Sequence, residues 1–427
     1  MGLKHMPKMF AVQSNVIRGL TKQQYSLLRE MCQYSNNLYN VALYNIRQHF
    51  FANNKYLSYE NNYQECRQNE NYAMLQAGAA QQILRVADRS FCSFFSLLKK
   101  SRNKEYNSKN IRIPHYRKKG GLFNLILSTN SISIKDGKFR IPMSRRFMMM
   151  HPDIKPIVIP FPERLSNKII KEVRIIPFDD GRHFRIQYVF EVTSEEKGLN
   201  KDNALAIDLG VNNLAACVST VGTPFIMDGR KLKSINHQWN KEKARLQSIA
   251  KKQGKDITSR INRITEKRNN RVRDIIRKTA RHIADYCIEK DIGSVYVGYN
   301  PDFKRSTNLG DSNNQNFVQI PFGQFRQQLS FLCWKYGIDY IEQEESYTSK
   351  SSVLDRDELP VYDPKQQISG KFSGQRIHRG LYMSKNGTAI NADVNGSANI
   401  LRKGKQNLDF EKLCMGLLAS PERIRVL

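Results

Sequence analysis

The stretch Ala204-Leu-Ala-Ile-Asp208-Leu-Gly-Val-Asn-Asn213 places a carboxylate at the end of an apolar strand, followed by Gly210, where backbone can approach a ligand closely. A carboxylate at such a place is costly unless it is paired or holds a cation. Far downstream, Ile390-Asn-Ala-Asp393-Val-Asn-Gly-Ser-Ala-Asn-Ile400 puts Asp393 at the start of a helix of small residues, which can pack closely against the first strand. Taken singly, each Asp is also an ordinary turn or cap residue. Two or three carboxylates converging from separate elements, however, form an oxygen-ligand site for Mg²⁺, and two such ions can flank a phosphodiester during in-line attack by water.

Outward from Asp208, strands alternate with helices. The strand at 204–208 continues as a hairpin-like pattern through 214–219 and 223–227, after which the chain becomes helical and very basic. Residues 241–281 hold fifteen Lys and Arg against four Asp and Glu, with Leu246, Ile257, Ile261, Ile264, Val272 and Ile275 as a thin apolar stripe. One face packs and the other stays basic. A helix from 271 leads to a strand at 294–297, another helix covers about 322–336, and a strand follows at 338–343. This alternation predicts an α/β sheet.

The N-terminal half reads differently. From Thr21 to about residue 100, Leu27, Leu28, Met31, Leu38, Val41, Leu43 and Ile46 recur at three- and four-residue steps and Pro is absent, which predicts a helical module. Its second part carries Phe91, Phe94 and Phe95, a stripe suited to core packing and, as the alternative, to stacking on bases. Between Lys99 and Lys119 nine basic residues face one acidic residue, Glu105, interleaved with Tyr106, His115 and Tyr116. Such a segment can neutralise phosphates and stack on bases; its other reading is a solvated charge run. From 121 to 192 short β-like runs at 125–127, 131–134, 139–141, 154–159, 173–176 and 184–192 are split by Gly, Pro, Asn and Asp. With the residues before Thr21 they predict a small β-barrel or sheet interrupted by the helical module.

The chain has 427 residues, enough for two to four domains of ordinary size, and a formal charge of +30 from 69 Lys and Arg against 39 Asp and Glu. That excess points to a polyanionic partner, nucleic acid above all. No stretch approaches the roughly 18 consecutive apolar residues of a spanning helix, and no apolar run with a small-residue cleavage site opens the chain. The expectation is an intracellular, cytoplasmic protein without membrane contact. The seven cysteines are scattered with no Cys-x-x-Cys pair, so they read as small apolar residues rather than as a disulfide framework or zinc knuckle.

The order and wording of several motifs carry a more specific signal. The Asp208 motif is followed by the basic helical segment, a strand, the phrase Asn313-Asn-Gln-Asn-Phe-Val-Gln-Ile-Pro321, then Tyr347-Thr-Ser-Lys350, then the Asp393 motif. This resembles TnpB, the transposon-encoded RNA-guided nuclease, and its compact type V CRISPR relatives of prokaryotes. The resemblance is strong over residues 200–403 and extends weakly to Asn36-Asn-Leu-Tyr-Asn-Val-Ala-Leu43 and Ile113-Pro-His-Tyr-Arg-Lys-Lys119. It implies a multidomain α+β chain: a wedge β-barrel domain (1–20 and 106–198) interrupted by a helical recognition domain (21–105), an RNase H-like RuvC nuclease domain (199–345 and 393–427), and a target-binding insertion (346–392). The implied partners are a guide RNA, either omega RNA or a CRISPR-type guide, and target double-stranded DNA; the oligomeric state is left open.

Two departures from that family's pattern matter. The strand after the basic helices usually ends in a catalytic Glu, yet Ser294-Val-Tyr-Val-Gly298-Tyr-Asn has glycine there. The next strand ends in Glu342-Gln-Glu344-Glu345-Ser, and neighbouring strands lie about 4.8 Å apart, so a longer side chain from it can refill the site. Glu345 is the first choice and Glu344 the second; successive strand residues face opposite ways, so only one of the pair should reach the metals directly. The other reading makes both of them surface acids beside a turn. The expected site is therefore Asp208, Glu345 and Asp393 around two Mg²⁺ ions.

The second departure lies in the insertion: relatives carry two Cys-x-x-Cys pairs for zinc, whereas residues 351–392 contain no cysteine and Ser352 stands at the first such position, so no zinc is expected. The candidate nucleic-acid-binding residues are Lys99, Lys100, Arg102, Arg117, Lys118, Lys119, Arg268, Arg271, Lys350, Arg376 and Arg379, with Lys365, Lys371, His378 and Lys385 as further bases of the insertion. The leading function is RNA-guided, metal-dependent DNA cleavage. The alternatives are a nuclease-dead RNA-guided repressor, motivated by Gly298, and a recombinase or junction resolvase, which would need far less basic N-terminal chain.

Overall fold

Thr21 opens the first long helix. Its side chain accepts the Gln24 backbone N–H while the Gln24 side chain accepts the Thr21 N–H, a capping box at the start of α1 (Lys22–Asn53). The apolar stripe of α1, including Leu27, Leu28, Met31, Leu38 and Ile46, is buried against α2 (Tyr59–Cys66), α3 (Glu70–Ala73) and α4 (Ala77–Arg102). On α4, Phe91 is fully buried, and Phe94 and Phe95 close with it onto Phe50 at ring-centroid distances from 5.4 to 6.4 Å. The aromatic stripe is core. Lys99, Lys100 and Arg102 lie in the last turn of α4, where basic charge suits the helix C-terminus.

The computed structural model describes residues 9–300, 319–361, 372–378, 380–405, 408–411, 413 and 420–426. The chain divides into two units, Met1–Thr193 and Ser194–Leu427. In the first, β1 (Met9–Val16) pairs antiparallel with β7 (His183–Val192), so the chain returns to its own beginning around the helices. β2 (Leu125–Ser128) and β6 (Ile170–Phe178) complete an antiparallel sheet in the order β1-β7-β6-β2, while β3 (Ser133–Lys135), β4 (Lys138–Arg140) and β5 (Val158–Pro160) form a second. Among the described residues these are two separate ladders rather than one closed ring. A short helix absent from the sequence expectation, α5 (Arg145–Met150), is capped by Ser144 and anchored by buried Phe147.

The second unit is built on a six-stranded mixed sheet in the order β12-β11-β8-β9-β10-β16. Its strands are β8 (Ala204–Leu209), β9 (Asn213–Ser219), β10 (Phe225–Asp228), β11 (Ser294–Tyr299), β12 (Asp339–Glu344) and β16 (Glu422–Ile424). β8, β11 and β12 run parallel, β9 is antiparallel to β8 and β10, and β16 lies parallel to β10. The basic segment forms α6 (Arg230–Lys252) and α7 (Ser259–Glu289). On one face, Leu205, Ile207, Val295 and Val297 pack with Val272, Ile276 and Ile283 of α7 and Phe325 and Leu329 of α8 (Phe322–Tyr336). On the other, Ala204, Ala206, Ala216 and Ile226 pack with Val394, Ala398 and Ile400 of α9 (Ala392–Gly404). β13 (Gln375–His378), β14 (Leu381–Met383) and β15 (Ala389–Asn391) make a small antiparallel sheet leading into α9. No helix among the described residues is long and apolar enough to cross a membrane. Of the described cysteines five are buried, Cys92 is exposed, and none is bridged.

Arg117 and Arg268, both candidate phosphate ligands, have guanidinia that are engaged within the fold. Arg117 keeps exposed surface, yet its guanidinium lies 4.1 Å over the Phe123 ring and donates to Asn36 Oδ1 at 3.2 Å and to the Leu122 carbonyl. Asn40 Oδ1 accepts the Arg117 backbone N–H, so the segment is tied to α1 by both side chain and backbone. Arg268 stacks on Trp239 and donates to Asn236, Asn269 and the Gln319 carbonyl. Partial burial lowers the pKa of both guanidinia. Arg117→Ala therefore lowers unfolding stability in urea by about 1 kcal/mol, the size of a lost hydrogen-bonded contact, whereas Lys118→Ala and Lys119→Ala, on exposed side chains, change it by under about 0.5 kcal/mol. Equal stability of all three variants would contradict the tethering role of Arg117.

Candidate active site

Side chains alternate along β8, so Ala204, Ala206 and Asp208 share the face covered by α9. The two alanines are small for a reason: they let α9 lie close, where Ser397 donates to the Ala206 carbonyl at 2.9 Å. Gly396 lies opposite Asp208, and a Cβ there would stand 2.7 Å from Asp208 Oδ2. Glycine at 396 is what makes room for the carboxylate. Asp393 sits in the first turn of α9, and Asn391 caps that turn by accepting the backbone N–H groups of Asp393 and Val394 at 3.0 and 3.2 Å.

The third carboxylate comes from the end of β12. Gly298 on β11 stands beside Gln343 in the parallel ladder, and a Cβ at Gly298 would stand 2.5 Å from Glu345 Oε2 and 2.6 Å from Ile400 Cδ1. The space left by the glycine side chain is thus taken by the Glu345 carboxylate. Glu344 is directed elsewhere: Lys403 Nζ donates to its Oε2 at 2.7 Å and the Ser346 N–H to its Oε1 at 2.6 Å. Burial raises the Glu344 pKa, but these hydrogen bonds outweigh it and hold the group below its ordinary value. The turn after Glu345 passes through Tyr347 in the left-handed region at φ 65°. It is pinned by α9: Asn399 donates to the Thr348 and Ser351 carbonyls, while Asn395 donates to the Ser351 carbonyl and accepts the Val353 N–H. The Tyr347 and Asp393 motifs are one packed unit, with Asn395, Gly396, Ser397 and Asn399 each meeting a neighbouring segment.

Electrostatically the site is under strain. Asp208 retains some exposed surface yet is densely surrounded; burial first, then the Glu345 and Asp393 carboxylates, raise its pKa far above the ordinary value, with Arg376 opposing. Glu345 is pushed up to about 7, by burial and then by Glu344, against Arg326 and Lys403. Arg376 of β13 pairs with Asp393 Oδ1 at 3.3 Å, and the Asn213 side-chain amide donates to Asp393 Oδ2. Among the described residues no three His, Cys, Asp or Glu side chains are assembled into a ready ligand shell. The oxygen donors and their summed negative charge are of the kind a hard divalent cation takes.

Of the other sequence candidates, Lys99, Lys100, Arg102, Lys118, Lys119, Arg271 and Lys350 carry exposed side chains. Arg379, Lys365, Lys371 and most of the Asn313 phrase lie outside the described residues. Sequence reading missed Gly396 and Asn213, both inside motifs it quoted, and Arg423 of β16, for which it had no signal.

Residues 187–303 match the family described as "Probable transposase", and residues 322–400 match the one described as "Cas12f1-like, TNB domain". "TnpB-like protein ORF457" of Acidianus two-tailed virus is 25% identical over 423 residues, covering 91% of this chain and 86% of that protein. In sequence the chain is similar to TnpB and, over its second matched segment, to the compact type V effectors. A cryo-EM structure of a Cas12f1–sgRNA–target DNA complex superimposes with a TM-score of 0.59 at 16% identity, over 89% of this chain and 83% of that one, so this TnpB-like chain shares its fold. The second matched segment runs from α8 to α9 and so contains both Glu345 and Asp393.

Because the Glu345 carboxyl is raised from 4.5 to about 7, the fold keeps its proton where the unfolded chain has lost it, and that stabilisation disappears as pH rises through this window. In metal-free protein the thermal midpoint of Glu345→Gln should therefore gain on wild type as pH rises from about 5 to about 8. A gap that stays constant with pH would show that Glu345 is not protonated in the fold. Gly298→Ala, which forces Glu345 and Ile400 apart, lowers the midpoint at every pH, by about 2–4 °C for each kcal/mol of strain in a unit of this size.

Proposed function

We propose that this TnpB-like chain is an RNA-guided DNA endonuclease whose RuvC-type site consists of Asp208, Glu345 and Asp393. The observation that carries the reading is the convergence of these three carboxylates on one face of the sheet, with Glu345 occupying the space that Gly298 leaves open. Asp208, Glu345 and Asp393 would hold two Mg²⁺ ions, which supply charge neutralisation and an activated water for in-line phosphodiester hydrolysis.

The rest of the chain has roles that follow from charge and placement. Gly396 keeps bulk away from Asp208, and Arg376 places a guanidinium beside Asp393, where it can exchange the carboxylate for a phosphate of the bound strand. Base pairing to a guide RNA supplies sequence, and exposed bases such as Lys99, Lys100, Arg102, Lys118, Lys119, Arg271 and Lys350 hold nucleic-acid backbone. In this reading residues 1–20 and 106–198 act as the wedge domain, 21–105 as the recognition helices, 199–345 and 393–427 as the nuclease, and 346–392 as the target-binding insertion. The wedge and recognition parts read a short flanking motif and the RNA scaffold, in a prokaryotic cytoplasm.

The test is to sequence RNA that co-purifies with the protein and to challenge that complex, with Mg²⁺, on a plasmid library carrying a guide-matched target and randomised flanks. Cleavage is expected to depend on guide and flank. Asp208→Ala and Glu345→Gln should each reduce it by on the order of 10³-fold while leaving RNA binding intact, and Glu344→Gln should leave most of it. Guided binding without cutting would make the chain a repressor, and the absence of a discrete RNA would overturn the guided reading.

A further inference from the structure

The Asn213 side chain sits between two groups that together leave it one orientation. Arg423 Nη1 donates to Asn213 Oδ1 at 2.8 Å, and a guanidinium can only donate. The amide nitrogen is thereby directed at Asp393 Oδ2, to which it donates. Asn213 is nearly fully buried, at 9% exposure, so water does not offer a substitute for either partner. Asp228, opposite Asn213 in the β9–β10 ladder, stands 3.8 Å from the Arg423 guanidinium and is held below the usual carboxylate range, chiefly by Arg230. Arg423 belongs to β16, the edge strand, where it lies beside Ile226 on the sheet face that α9 covers.

We infer that Arg423 is a positioning residue for the Asp208, Glu345 and Asp393 site: from the edge strand β16 it fixes the Asn213 amide, and through it the plane of the Asp393 carboxylate. The inference rests on the proposed metal-dependent reading. Arg423 touches none of the reacting groups. Its work is to remove the alternative in which the Asn213 amide is flipped and sets its oxygen against a carboxylate oxygen, which would turn Asp393 away. Ordering of the edge strand thus becomes a condition for a complete site.

The experiment is Mn²⁺ titration of the purified full-length protein by calorimetry, without nucleic acid, for wild type, Arg423→Ala, Arg423→Lys, Asn213→Ala and the Arg423→Ala/Asn213→Ala double variant. Arg423→Ala and Asn213→Ala should each weaken Mn²⁺ binding by about 10–100-fold. The double variant should be no weaker than either single one, because both remove the same constraint. Arg423→Lys, which still donates to Oδ1, should recover most of the affinity, while guide RNA binding is the same in all. Unchanged Mn²⁺ affinity in Arg423→Ala, or losses that add in the double variant, would overturn the relay and leave the active-site reading standing. A wild-type chain that takes up no Mn²⁺ would instead bring down the metal-dependent reading and the relay with it.

Discussion

Three carboxylates near one another inside a protein repel, and each is further penalised by its own burial. Asp208 shows both effects at once, raised first by burial and then by Glu345 and Asp393. The surrounding structure is arranged to hold that unfavourable cluster in place. β8 and α9 meet through Ala206 and Ser397, Gly396 yields its side-chain volume to Asp208, and Gly298 yields its own to Glu345. A packed fold tolerates such strain only where neighbouring elements over-determine the geometry, and here the sheet, α9 and the turn after Glu345 all do so.

The same constraint explains the many small and amide-bearing residues of α9. In most helices Asn and Gly at interior positions weaken the helix. In α9 they are interior contacts: Asn395 and Asn399 hold the backbone of residues 348–353, and Gly396 is the point of closest approach to Asp208. Local helix propensity gives way to registration of the strand ends. In the proposed metal site, a carboxylate displaced by an ångström would no longer share a cation with its neighbours.

Positive charge is divided between two tasks. Arg117 and Arg268 are engaged within the fold, each over an aromatic ring with carbonyl or amide acceptors at its nitrogens, and Arg376 is directed to Asp393. Exposed lysines at the end of α4 and after Arg117 remain open to a polyanion. A charge count of +30 reports the sum of both tasks and cannot separate them, because a packed guanidinium and a solvated one contribute equally to composition.

Asp208 and Asp393 stand in motifs whose apolar or small-residue context is local, and the pattern of apolar residues places the start of α1, the end of α4 and strands β8 to β12 of the large sheet within a few residues of their observed bounds, though not β16. Alternation of side chains at a strand end says that only one of Glu344 and Glu345 can face the aspartates, and the contacts of Lys403 and Ser346 with Glu344 show which one is turned elsewhere. The short helix at 145–150, by contrast, has too few residues to show a period, and the tether on Arg117 depends on Asn36 and Phe123 arriving from elsewhere. The elements and the two aspartates are thus legible in the amino-acid order alone, since both are written in near-neighbour patterns. That Glu345 fills the space at Gly298 and that Arg423 holds Asn213 is settled by the folded arrangement, because these contacts join strands far apart in the chain and leave no periodic trace in either one.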